Sequence, residues 1–249
     1  MSNDFNMDNI KKHTVIQSIV LHLLPGVLIG AMYYLLALPI SNAGYPTLMA
    51  MIIACIIVLI PGELGIVYLA KRKQGKKPGN QLIPYQNKLT VKEYIFWALI
   101  VMILMGLVFT LGEPLSNIFR DSIFSWIPEV YHLDFGYSSD YSVSVLTITY
   151  TVGFIIAALI APTVEEIYFR GYLLPRIPNL KGFSTLFHSF LFALYHFWTP
   201  WMILTRFIGV YPLIYVVNKK QNIYIGIIVH ALINAIDFVV GFIFIIGLL

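Results

Sequence analysis

The stretch VSVLTITYTVGFIIAALIAPTVEEIYFR, residues 143–170, decides the fold class of this chain. Its first part, residues 143–161, carries no charged side chain and approaches the length of about 20 apolar residues with which a helix crosses a bilayer. Glu165, Glu166 and Arg170 follow within the next turns. Charged groups are costly next to hydrocarbon, so an ionisable cluster in such surroundings indicates a functional site.

The composition of the whole chain extends this interpretation from one stretch to the entire protein. Of 249 residues, 59% are hydrophobic and 11% are charged, and the mean hydropathy is +0.80. A water-soluble domain carries about 25% charged residues. The sequence therefore predicts a single all-α membrane domain over residues 1–249, a polytopic transmembrane helical bundle of about seven spans, with six to eight possible.

The apolar runs and the charges between them predict a topology. The predicted spans are residues 15–38, 47–70, 93–111, 143–161, 183–198, 201–217 and 223–249. Residues 71–92 form a basic loop, which we expect in the cytoplasm, and residues 113–142 form an acidic loop, which we expect outside. With a cytoplasmic N-terminus, all but Arg120 and Arg206 of the 16 lysines and arginines fall on the cytoplasmic side. We therefore expect a multi-pass protein of the cell membrane.

Other classes of protein find no support in the sequence. The single cysteine, Cys55, excludes a disulfide framework and a CxxC metal site. The net charge of +4 is explained by basic cytoplasmic loops, so no nucleic-acid partner is expected. H-E-x-x-H and G-x-S-x-G are absent, which argues against common zinc and serine proteases. No internal repeat supports an inverted-repeat transporter.

The spacing within the acidic motif suggests a division of labour between its two acids. Glu166 and Arg170 are four residues apart and share one helix face, where they can pair. Glu165 is turned by about 100° from Glu166 and points to a different neighbour. An arginine that holds one acid ionised leaves the other free for chemistry. Pro162, just before the motif, either begins a new helix or kinks one long helix.

Polar residues on two later predicted spans are candidate partners of the motif. His196 lies in the fifth span, and His230 and Asn234 lie four residues apart on one face of the seventh. The alternative for each is hydrogen bonding that merely holds helices together. We expect structural roles for other polar residues of the spans. Glu63 is interpreted as an interfacial acid, His188 as a structural histidine, and Asp237 as a polar contact between helices or a partner of Arg206.

Taken together, these groups suit the activation of water. A carboxylate can take a proton from water, a histidine can orient that water, and a His–Asn pair can donate to a developing oxyanion. The same types of side chain could instead bind zinc, with Glu165, His196 and His230 as the candidate ligands.

The ordered motifs E-E-x-x-x-R, F-x-x-x-H and H-x-x-x-N, over about residues 145–245, resemble the CAAX prenyl endopeptidase and bacteriocin-processing family, also called the Abi family. The resemblance implies an all-helical intramembrane endopeptidase whose site lies within the bilayer and opens towards the cytosol. It implies a membrane-associated peptide or protein as substrate and, in bacteria, a role in bacteriocin immunity, peptide maturation or signalling.

The resemblance also assigns roles to individual residues. Glu165 would be the general base and would share the attacking water with His196. His230 and Asn234 would form the oxyanion hole. The supporting pair would be Glu166 and Arg170. No cofactor is firmly implied, and a glutamate-activated water is favoured over zinc.

Two further hypotheses of different classes accompany the protease. One is a non-catalytic membrane protein that confers immunity or regulates by binding a toxin or a sensor kinase. The other is a small transporter with a buried acid–base relay, for which the expected internal repeat is not found. The sequence assigns no oligomeric state.

Overall fold

The computed structural model describes residues 10–74, 82–138 and 140–248. These residues form seven helices, with short 3₁₀ turns between some of them and no strand longer than an isolated bridge. The helices are α1 (Val15–Asn42), α2 (Leu48–Gln74), α3 (Val91–Asp121), α4 (Val143–Arg176), α5 (Ser184–Tyr195), α6 (Ile203–Lys220) and α7 (Ile223–Leu248). The predicted all-α transmembrane bundle is thereby confirmed.

Six of these helices are long and apolar enough to cross a membrane, and α5 is the exception. The prediction of a helical span over residues 183–198 was too long, because the helix ends at Tyr195 and His196 leaves helical geometry at φ −83° and ψ 61°. The ring of Trp201, beyond this break, packs on His132 of the predicted external loop. The residues after α5 therefore lie against the predicted external loop.

One end of the bundle gathers the segments that the sequence assigned to the cytoplasm. The backbone N–H of His13 donates to Arg176 at 2.8 Å, and the Arg176 guanidinium donates to the Leu82 carbonyl at 3.0 Å. The backbone of Asn87 in turn donates to Gln221 at 3.0 Å. Lys76 and Lys77 of the predicted basic loop lie outside the described residues. Which end faces the cytoplasm remains a prediction from the charges.

The opposite end differs from the predicted loop over residues 113–142. Helix α3 continues to Asp121, so the first part of that loop is helical. The remainder packs back onto the bundle: the Leu48 N–H donates to the Asp134 carbonyl at 3.0 Å, and the Tyr137 hydroxyl donates to the Asp237 carbonyl at 2.9 Å. These contacts join this segment to the start of α2 and to the middle of α7.

Prolines shape the two helices that carry buried acids. In α2 and α4, three stretches widen into π-helical turns, and each ends two residues before a proline. The stretches are Cys55–Leu59 before Pro61, Phe154–Ile160 before Pro162, and Glu166–Leu173 before Pro175. Proline lacks an N–H and clashes with the carbonyl four residues earlier, so the turn before it opens. Helix α4 thus passes Pro162 as one continuous helix.

Candidate active site

The two motif acids lie side by side on α4 but have different surroundings. The side chain of Glu166 is fully buried, while Glu165 is 6% exposed. Both lie where α4 turns from α-helical to π-helical geometry, a local irregularity that is frequent at functional sites. Helix α7 packs against this part of α4 and brings His230 to both acids.

His230 lies between the two carboxyl groups. Its Nδ1 is 3.0 Å from Oε1 of Glu166, a hydrogen-bonding distance, and its Nε2 is 3.7 Å from Oε2 of Glu165. With Nδ1–H donating to Glu166, the ring is fixed in orientation and Nε2 faces Glu165. The longer separation leaves both Nε2 and the Glu165 carboxyl able to bind a third group.

Arg170 compensates the charge of Glu166, as their spacing in the sequence predicts. Its Nη1 lies 3.2 Å from Oε1 of Glu166, and both side chains are fully buried. The angles at this contact do not meet those of a hydrogen bond, so the interaction is mainly Coulombic. The guanidinium also lies over the ring of Phe192, 3.9 Å from its centre, in a cation–π contact.

His196 follows directly after the end of α5 and interacts electrostatically with His230 and Arg170. Its Nδ1 lies 2.9 Å from the carbonyl of Phe192, which leaves Nε2 as the free ring nitrogen when Nδ1 carries the proton. The rings of Phe192, Tyr195 and Trp198 surround the imidazole at about 5 Å between centres. Because α5 ends at Tyr195, the break in the helix is what sets the direction of this histidine.

Asn234 lies one turn beyond His230 on α7 and contacts the backbone of α4. Its Nδ2 donates to the Ala157 carbonyl at 3.1 Å. Ala157 belongs to the widened stretch before Pro162, where the helix does not hold every carbonyl in regular α-helical bonds. An asparagine amide has two N–H donors, so one remains for another acceptor.

Glu63 is a member of this cluster that the sequence interpretation missed. It is fully buried, and its Oε1 accepts a hydrogen bond of 2.8 Å from the Tyr195 hydroxyl. It also interacts electrostatically with Glu165 and Arg170. The interpretation as an interfacial acid was therefore wrong. A signal was present in the sequence, because Glu63 follows Pro61 much as Glu165 follows Pro162.

The remaining polar residues of the spans have structural contacts away from the acids. His188 is buried with its Nδ1 2.9 Å from Nε2 of His22, in line with its structural interpretation. Asp237 and Arg206, considered as partners, form no ion pair among the described residues. Arg206 instead donates to the Thr199 hydroxyl at 3.0 Å.

The geometry also bears on the zinc hypothesis. Within residues 10–74, 82–138 and 140–248, no three His, Cys, Asp or Glu side chains are grouped so that they could hold a metal ion. Glu165, His196 and His230 are therefore not arranged as a ligand set, and we derive no chemical step through a metal.

Gly226 on α7 makes room for the buried carboxyl of Glu166. A Cβ at this position would meet Oε2 of Glu166, whose other oxygen is held by Arg170 and His230. We expect Gly226→Ala to destabilise the protein by about 1–3 kcal/mol, the usual cost of overpacking. Alanine would otherwise favour a helix by up to about 1 kcal/mol over glycine.

Gly65 is the matched control for this substitution, since it lies inside α2 with nothing within 4 Å of an added Cβ. Unfolding in mixed detergent micelles measures the free energy of unfolding of Gly226→Ala and of Gly65→Ala, and we expect only the first to be lower than that of the wild type. Equal stability of the two variants would contradict the close packing of α7 on Glu166.

Comparison with known proteins agrees with the family resemblance. Residues 147–236 match the family model described as "Type II CAAX prenyl endopeptidase Rce1-like", and this segment contains Glu165, Glu166, Arg170, His196, His230 and Asn234. Over 79 residues the chain is 35% identical to "UPF0177 protein YxdF" of Lactococcus lactis subsp. lactis (strain IL1403). That alignment covers 32% of this chain and 44% of the relative. No solved structure matches the chain.

Proposed function

We propose that this multi-pass membrane protein is an intramembrane endopeptidase that hydrolyses a peptide bond in a membrane-associated or lipidated peptide or protein. The observation that carries the proposal is the position of His230 between Glu165 and Glu166, inside the segment that matches a protease family. Glu165 and Glu166 lie well inside α4, more than two turns before its end at Arg176, which suits a bond presented within the bilayer.

In the proposed reaction, Glu165 accepts a proton from water while the free Nε2 of His196 orients that water. The water oxygen attacks the substrate carbonyl carbon, and the carbonyl oxygen becomes the oxyanion of a tetrahedral intermediate. The proton held by Glu165 then passes to the departing amine as the C–N bond breaks. Glu165 is free to do this because Arg170 compensates Glu166 rather than Glu165 at close range.

His230 and Asn234 are the proposed donors to the oxyanion. A doubly protonated His230 donates from Nδ1 to Glu166 and retains Nε2–H for the oxyanion. Asn234 uses one N–H for the Ala157 carbonyl and has the second available. Glu166 and Arg170 support this geometry by fixing the ring of His230.

We extend the proposal to the setting of the protein by analogy with the family. The site would open to the cytoplasm of a bacterial cell, with the N-terminus on the same side. The substrate would be a peptide or membrane protein rather than a CAAX protein, in bacteriocin immunity, peptide maturation or signalling.

The direct test is cleavage of a hydrophobic or lipidated reporter peptide by purified protein in detergent, analysed by mass spectrometry. We expect cleavage by the wild type, none by Glu165→Ala or His196→Ala, and no effect of a strong chelator. Loss of activity with chelator and recovery with zinc would overturn the glutamate-activated water.

The second candidate, a binding protein without catalysis, makes the opposite prediction. It would cleave no reporter, and Glu165→Ala would keep the activity of the wild type in cells. That pair of results would refute the protease.

A further inference from the structure

The buried carboxyl of Glu63 lowers the stability of the fold, which suggests that the residue has a functional role. Its carboxyl is fully buried in α2, and among the described residues Oε2 has no hydrogen-bond partner. Burying a polar group without full hydrogen bonding costs stability, and an apolar side chain of similar size would avoid that cost. Glu63 also lies outside residues 147–236, so it belongs to the part of the chain that the family model does not match.

The partner of Glu63 is the residue next to His196. The Tyr195 hydroxyl donates to Oε1 of Glu63 at 2.8 Å and also interacts with Glu165. Tyr195 is the last residue of α5, and the helix breaks immediately after it. The hydrogen bond therefore acts at the point where the chain turns to present His196.

A second contact involves the same end of α5. A Cβ at Gly26 of α1 would meet the backbone carbonyl and the ring of Tyr195, so α1 lies directly against this residue. Tyr195 thus contacts both the backbone of α1 and the carboxyl of Glu63 on α2. Packing from α1 limits its translation, while the hydrogen bond from α2 limits the direction of its side chain.

We propose that Glu63 is a positioning residue for the water-activating pair: by accepting the hydrogen bond of Tyr195, it fixes the end of α5 and thereby the position of His196 relative to Glu165. This inference rests on the proposed function. Glu63 acts through Tyr195, has no assigned contact with substrate, and exchanges no proton in the reaction. A displacement of about 1 Å in a catalytic group can lower a rate about 100-fold, so the role predicts a large effect on turnover.

The test is a double-mutant cycle in the reporter assay. We expect Tyr195→Phe and Glu63→Ala each to lower kcat by about 10- to 100-fold with an unchanged KM. Because both remove the same hydrogen bond, the double variant should be no slower than the more affected single variant. Glu63→Gln keeps an acceptor oxygen at the same place and should restore most of kcat.

Tyr150→Phe is the matched control for the loss of a buried tyrosine hydroxyl. Tyr150 donates to the Phe135 carbonyl at 2.6 Å, away from the acidic cluster. The Tyr150→Phe variant should lose a comparable hydrogen bond and still retain the wild-type kcat. Unfolding in detergent is measured for every variant, so that Tyr195→Phe and Glu63→Gln decide the question if Glu63→Ala does not fold.

Each outcome bears on the proposal. Wild-type kcat in folded Tyr195→Phe, additive losses in the double variant, an effect on KM alone, or no recovery with Glu63→Gln would overturn the role of Glu63 while the protease stands. A wild-type protein that cleaves no reporter would overturn both inferences together.

Discussion

Glu165→Gln is expected to lower the rate of reporter cleavage by about 10²- to 10⁴-fold, the contribution typical of a general base. Glutamine has nearly the same size as glutamate but cannot accept the proton of the attacking water. Because the close ion pair of Arg170 is with Glu166, removing the charge of Glu165 leaves that pair intact. The variant should therefore fold normally and still bind substrate.

Glu166→Gln is the matched comparison for Glu165→Gln, because it makes the same substitution at the next residue. Glu166 is fully buried against Arg170 and His230, so neutralising it leaves a guanidinium without its anion. We expect this variant to lose stability as well as activity. Cleavage kinetics and unfolding in mixed micelles, measured on both variants, separate a chemical role from a supporting one. Equal losses of stability would contradict the proposed division of labour.

Arg170→Met is expected to lower the free energy of unfolding by about 3–5 kcal/mol, because it breaks a buried ion pair and leaves a carboxylate in the core. The variant also loses the cation–π contact with Phe192. Arg170→Lys should recover only part of this loss, since an ammonium group cannot stack as a planar guanidinium does. The free energy of unfolding of each variant is measured in micelles with an increasing fraction of sodium dodecyl sulfate.

Arg120→Met is the control for the loss of an arginine ion pair. Arg120 pairs with Asp121 at 2.8 Å, but the two side chains are 33% and 65% exposed, respectively. Exposed pairs contribute little to stability because water screens them. A loss in Arg120→Met as large as that in Arg170→Met would show that burial is not the cause.

Much of the candidate site follows from spacing along the helix. The pairing of Glu166 with Arg170 could be predicted because residues four apart share a helix face whatever the tertiary structure. The common face of His230 and Asn234 follows in the same way. Helical periodicity does not say which face meets which helix, so the sequence could not predict that His230 would lie between the two acids.

The two sequence predictions that the structure corrects, the length of α5 and the position of Glu63, were wrong for the same physical reason. The length of α5 was overestimated because residues 183–198 are uniformly apolar, and hydropathy does not reveal where a helix stops inside a protein. The sequence predicts an interfacial position for Glu63 because an acid near a helix end is ordinarily solvated. Its burial depends on α4 packing against this part of α2 and on Tyr195 reaching it from α5, which sequence periodicity does not encode.

By itself, the sequence determined the all-helical membrane architecture, the order of the motifs and the pairing of neighbours on one helix, because hydrophobic length and the helical repeat are local properties. Only the tertiary structure decided that α7 brings His230 to both acids, that α5 ends just before His196, and that Glu63 joins from α2. These are contacts between residues far apart in the chain, and they depend on how whole helices pack.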